Sequence, residues 1–144
     1  MIQRTLMTVA LAALTVGLVA AASPAFATAT AGTQAPTKTT NDGVYTAAQA
    51  ERGKKMFGEK CSGCHEPSRF SGESFHEAWD GKAMKEIWDI ASGTMPEDNP
   101  GSLKQQEYGD ILAYFLSLNE YPAGDAELQG NAASMAAIKI EKKK

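Results

Sequence analysis

The chain has 144 residues, two cysteines, two histidines and a formal net charge of −3. With 17 acidic residues against 14 basic ones, it has no electrostatic footprint for nucleic acid. A chain this short holds one small domain at most, near the lower limit of what can bury a self-sufficient core.

The N-terminus reads as a targeting segment. Arg4 supplies a positive start, Leu6–Ala22 is an apolar run, and Ala25-Phe26-Ala27 after Pro24 fits the small-x-small rule for cleavage. Met1–Ala27 is therefore expected to be a cleaved secretory signal peptide, which predicts a periplasmic protein. The competing reading, an uncleaved anchor, wants a longer and more strongly apolar run. Beyond this segment no stretch is apolar enough to span a membrane. Cleavage removes Arg4 and no acid, so the mature charge is about −4. Thr28–Val44 is Thr-, Ala- and Gly-rich without hydrophobic period, and is expected to be a flexible linker. Tyr45–Gly124 is the expected domain, followed by a C-terminal extension, Asp125–Lys144.

Thr46-Ala47-Ala48-Gln49 reads as a capping box that opens a helix from Ala47 to about Lys60. Ala50, Gly53 and Phe57 mark its buried face. A mid-helix glycine costs about 1 kcal/mol against alanine, which implies close approach of another backbone at Gly53. Directly after this helix comes Cys61-Ser62-Gly63-Cys64-His65, which contains both cysteines and one of the two histidines. Two thiols at this spacing can each add across one vinyl group of a haem, and His65 then stands ready as the proximal iron ligand. Three other chemistries compete. A redox dithiol wants a strand-then-helix context and has no need of His65. A zinc site lacks ligands, since one histidine remains to complete it. A disulfide closing so small a loop would constrain the unfolded chain little.

Glu66–Asp80 and Gly93–Gly101 are expected to be long loops of little structure. Between them a second helix is predicted from about Gly81 to Ser92, on Met84, Ile87, Trp88 and Ala91, with Gly93 stopping it. A third opens on a capping box, Ser102-Leu103-Lys104-Gln105. It carries Tyr108, Ile111, Leu112, Phe115 and Leu118 on one face and ends at Asn119 and Pro122. The fold class is all-α: three main helices and long loops around one covalently bound haem. Met135, Ile138 and Ile140 in the extension would lie on the domain surface.

An iron held by His65 has a sixth position to fill. Candidates are Met56, Met84, Met95, Met135 and His76. Met95 is the best of them: it lies thirty residues past His65, and Pro96 biases it toward extended backbone and blocks a helix. Met84 is expected to pack, Met135 sits in the Ala-rich tail, Met56 lies too near the attachment site, and His76 sits among polar neighbours. Trp79 is a candidate for the haem edge, its indole N–H available to a propionate. Trp88 fits the helical stripe and reads as core.

These residues together resemble the class I, mono-haem cytochromes c: Gly53-x-x-x-Phe57, then Cys61-x-x-Cys64-His65, then Met95-Pro96, then Asp110-Ile111-Leu112-Ala113-Tyr114. The match covers Thr46 to Pro122. It implies that the first and last helices cross with Gly53 and Phe57 against Ile111 and Tyr114. It further implies one haem c, bound through Cys61 and Cys64, with His65 and Met95 on the iron. The chain departs from the family pattern where a Gly-Pro-x-Leu segment usually orients the proximal histidine: its nearest analogue, Gly72-Glu73-Ser74-Phe75, has no proline. A narrower resemblance, on Met95–Leu103 and Asn119–Gly124, is to cytochromes associated with periplasmic quinoprotein dehydrogenases. The function implied is single-electron transfer in a respiratory chain, by a protein that is not itself an enzyme. Its donor would be a dehydrogenase, a quinoprotein on the narrower resemblance, and its acceptor an oxidase or another cytochrome. An open-site haem enzyme or gas-binding protein, and a dedicated subunit of a dehydrogenase complex, are the alternatives.

Overall fold

The computed structural model describes residues 37–143. The signal-peptide segment and the first part of the expected linker lie outside the described residues.

Helix α1 spans Ala47–Lys60, as predicted. Thr46 caps it, its hydroxyl accepting from the Gln49 N–H at 3.1 Å. The reciprocal half of the capping box does not form, because the Gln49 side chain turns inward and is fully buried. Helix α2 (Glu73–Trp79) follows a short 3-10 turn at Pro67–Phe70. Then come α3 (Met84–Thr94), α4 (Gln105–Leu118) and a single turn-and-a-half, α5 (Ala132–Ala136). Two-residue strands, β1 (Lys38–Thr39) and β2 (Ile138–Lys139), pair in parallel.

The principal packing is α1 against α4. A Cβ built on Gly53 would lie 1.8 Å from the Asp110 carbonyl oxygen, so only glycine allows this crossing. One turn along, Phe57 packs between Tyr114 and Phe115, with ring centroids 5.7 and 5.8 Å away. The crossing expected from Gly53, Phe57, Ile111 and Tyr114 is thus present.

The structure corrects the sequence reading in five places. The expected loop Glu66–Asp80 contains α2, which buries Phe75. Its signal was the Phe75/Trp79 pair, one helical turn apart. Helix α3 starts at Met84 rather than Gly81 and runs through Gly93 to Thr94. Nothing crowds Gly93, so the helix continues until Pro96 ends it. Helix α4 is not capped by Ser102. Lys104 is its first flanking residue, and its N–H donates to the Glu107 carboxylate at 2.7 Å. The expected linker Thr28–Val44 is structured from residue 37 onward. Thr40, Val44 and Tyr45 are buried, and Thr40 exchanges hydrogen bonds with the Glu141 backbone.

The fifth correction concerns the extension. Leu128, Met135, Ile138 and Ile140 enter the core instead of lying on the surface. The Leu128 end of this segment is held by polar groups on the two long helices. Gln49 donates to the Leu128 carbonyl at 2.8 Å and accepts from the Leu128 N–H at 2.8 Å. Gln106 donates to the same carbonyl and accepts from the Gly130 N–H. The exposed Arg52 bridges Asp110 and Glu127. Every polar atom of the buried Gln49 side chain is thereby satisfied, which makes its burial tolerable.

Gly53→Ala should cost about 3 kcal/mol or prevent folding, since backbone cannot yield to a methyl group. Gly58→Ala on the same helix, with nothing near its Cβ, should gain about 0.5–1 kcal/mol. Urea unfolding of the haem-loaded protein measures both. Burial also raises the pKa of Tyr45 and Tyr121. Each phenol keeps its proton in the native state where the unfolded chain loses it. Their contribution is therefore intact below about pH 10 and is lost as pH rises through the raised native values. Unfolding free energies measured from pH 9 to 12 should fall, and less steeply in Tyr45→Phe.

Candidate haem site

Helix α1 delivers the attachment motif. Its last N–H bonds are Cys61 and Ser62 to the Phe57 carbonyl, each at 2.9 Å. The chain then turns tightly, with the Cys64 and His65 N–H groups both donating to the Cys61 carbonyl. Cys64 is exposed and Cys61 half-buried, and burial pushes the Cys61 thiol pKa up. The thiols are free and unbridged in this structure.

Two adjoining cavities open beside this turn, and Cys61, His65, Met95 and Pro96 line both. One, of about 440 Å³, is bordered by Lys60, Cys64, Glu97 and Asp98. The other, of about 230 Å³, is walled by apolar groups, among them Phe57, Phe70, Ile87, Ile111 and Phe115. Arg69 is the one side chain of permanent charge on that apolar wall, and Trp79 lies on it too, beneath the Lys82 ammonium at 5.1 Å. The structure therefore brings together five predicted residues from three segments: Cys61, Cys64, His65, Trp79 and Met95.

The other candidates lie elsewhere. Met84 and Met135 are fully buried core residues, and Met56 packs against the core without lining either cavity. His76 pairs with Asp80 through Nδ1 at 2.9 Å and packs on Phe75 and Tyr121. Trp88 is buried in the core, its indole N–H unpartnered among the described residues.

The proximal side is supported differently from the family pattern. The buried His65 Nδ1 has no hydrogen-bond partner among the described residues. Its ring instead meets the edge of Phe70, with centroids 5.6 Å apart. Phe70 stacks on Phe115 at 4.2 Å, their planes 5° apart. A buried Asn119 fixes the Phe70 backbone: its amide donates to the Phe70 and Phe115 carbonyls at 2.9 and 2.8 Å, and its Oδ1 accepts from the Gly72 N–H at 2.9 Å. Asn119 and Phe70 were not foreseen as site residues. Asn119 was visible only as a helix terminator, and its reach to Phe70 depends on how the chain folds back. Arg69 was also missed, because a lone arginine in a polar segment carries no signal of its own.

The donor set fits a covalent haem: two accessible thiols, an imidazole and a thioether border one partly apolar crevice. Comparison with known proteins agrees. A family model described as "Cytochrome C oxidase, cbb3-type, subunit III" matches residues 48–115. A thiosulfate dehydrogenase from Psychrobacter arcticus is 34% identical over 103 residues, covering 53% of this chain and 31% of that protein. The chain thus spans about a third of the length of that relative. No solved structure matches the chain. Both matches support the resemblance to the mono-haem class I cytochromes c. A cytochrome c domain implies a covalently bound c-type haem, for which Cys61 and Cys64 have the right spacing.

Asn119→Ala should cost about 1–2 kcal/mol, because the Phe70 carbonyl and the Gly72 N–H lose their side-chain partner. Unfolding of the haem-loaded variant measures the loss, and Asn119→Asp should recover only the bond from Gly72.

Proposed function

We propose that this cytochrome is a periplasmic single-electron carrier with His65 and Met95 as its two axial ligands, and not itself an enzyme. The observation that carries this reading is the shared lining. His65 reaches the crevice from the turn after α1, and Met95 from the end of α3. Bound haem supplies the one-electron couple, Fe(II)/Fe(III). Cys61 and Cys64 anchor it, and the apolar wall excludes water. Two filled axial positions leave no room for substrate, and Met/His ligation favours a raised potential. Arg69 and Trp79 offer a guanidinium and an indole N–H to a haem carboxylate.

The signal-peptide reading of Met1–Ala27 places the mature protein outside the cytoplasm, where c-type haem is attached in bacteria. Among the described residues no helix is long and apolar enough to cross a membrane. The donor is a dehydrogenase, of the quinoprotein kind on the sequence resemblance, and the acceptor an oxidase or another cytochrome. Contacts between such partners are small and brief. The acidic net charge favours a basic docking patch on at least one of them, so exchange slows as salt rises.

The relative's name favours a second reading, a haem protein that oxidises thiosulfate, alone or as a subunit of a larger assembly. That name belongs to a protein of which this chain spans 31%. Adding thiosulfate to the ferric protein separates the readings, since a pure carrier stays oxidised until a donor protein is supplied. Met95→Ala should abolish the ferric methionine–iron charge-transfer band and let ferrous iron bind carbon monoxide rapidly. High-spin iron in the unmutated protein would overturn the carrier reading.

A further inference from the structure

We propose that Tyr108 is the residue that holds Met95 in place, through the methionine's backbone rather than its sulfur. This inference rests on the reading of Met95 as the distal ligand.

Tyr108 lies in the first turn of α4, thirteen residues past Met95, and is buried. Its ring lines the apolar cavity, and its hydroxyl donates to the Met95 carbonyl at 2.6 Å. The Gly101 N–H donates to the same oxygen at 3.3 Å, and the Met95 N–H donates back to the Ala91 carbonyl at 3.1 Å. Both backbone polar groups of Met95 are thereby tied, one to α3 and one to α4 and the closing turn. The turn between them is self-contained: Asn99 donates to the Pro96 carbonyl and Ser102 to the Asn99 carbonyl. Pro96 has no N–H to offer.

The sulfur itself needs no hydrogen bond for this to work. A thioether is a weak neutral ligand, and its occupancy of iron depends on how far its backbone is already confined. Gly101 makes the longer bond to the carbonyl, and an exposed turn supplies it. The Tyr108 hydroxyl is the shorter donor, and it stands on a helix packed into the core. Loss of that hydroxyl leaves the aromatic ring in the cavity wall but frees the carbonyl, so the loop opens more often. An external ligand then competes with a weaker rival. Its apparent affinity rises by the factor by which the closed state is destabilised.

The test is imidazole titration of the ferric, haem-loaded full chain, followed by loss of the methionine–iron band. Tyr108→Phe should keep its haem and show the band, but bind imidazole about fivefold to tenfold more tightly, the worth of one buried hydrogen bond. Tyr121→Phe is the control. That hydroxyl is also buried and donates to a backbone carbonyl, Glu141 at 2.6 Å, on a segment that does not line the haem crevice. Its removal should lower global stability and leave imidazole affinity unchanged. The proposal falls if Tyr108→Phe binds imidazole as the unmutated protein does, or if Tyr121→Phe shifts affinity by the same factor. Met95→Ala separates the two levels. If it leaves the band intact, the ligand reading fails and this inference with it. If it abolishes the band while Tyr108→Phe changes nothing, only the role of Tyr108 is lost.

Discussion

At Gly53 the backbone of α1 lies against that of α4 with no side chain between them, and the rest of the molecule depends on that contact. A methyl group there would stand 1.8 Å from the Asp110 carbonyl. Because the helices approach so closely, Phe57 can reach both Tyr114 and Phe115. The same approach sets where α1 ends, and so where Cys61, Cys64 and His65 face the crevice. It also puts Asp110 within reach of Gln49 and Arg52 on α1, both of which donate to its carboxylate. One steric allowance thus positions the haem motif on one side and the polar brace for the C-terminal segment on the other.

The His65 and Met95 sides of the crevice are supported by different physics. On the His65 side the support is aromatic. Phe70 meets the imidazole edge-on and is stacked on Phe115, while Asn119 fixes its backbone. On the Met95 side the support is hydrogen bonding to a carbonyl. Both supports begin on α4, the helix locked at Gly53. His65 and Met95 come from separate segments, yet the supports of both refer back to a single element.

Much of this was legible in the sequence, for a physical reason. Helix α1 was read with its observed bounds because cap, period and the mid-helix glycine all point the same way. The motif at Cys61–His65 states its chemistry in five residues. The place of Met95 beside the crevice was legible because a proline follows it. What escaped were features decided by tertiary packing. Gln49 looks like the partner in a capping box, but its amide satisfies Leu128 instead, a residue 79 positions away. The tail looked like surface because Ala-rich sequence has little period, and it is α3 that offers Met135 and Ile138, on α5 and β2, somewhere to bury. Helix α2 is only seven residues long, too short for periodicity to stand out from noise.

The pairing of Lys38–Thr39 with Ile138–Lys139 joins residues about a hundred positions apart. Contacts of such sequence separation close late in folding, because chain entropy must be surrendered before they return any stabilisation. A ribosome or a translocation channel releases this chain from its N-terminus. Strand β1 therefore waits unpaired until nearly the last residues have emerged. During that interval Thr40 also lacks the Glu141 backbone with which it exchanges hydrogen bonds in the folded chain.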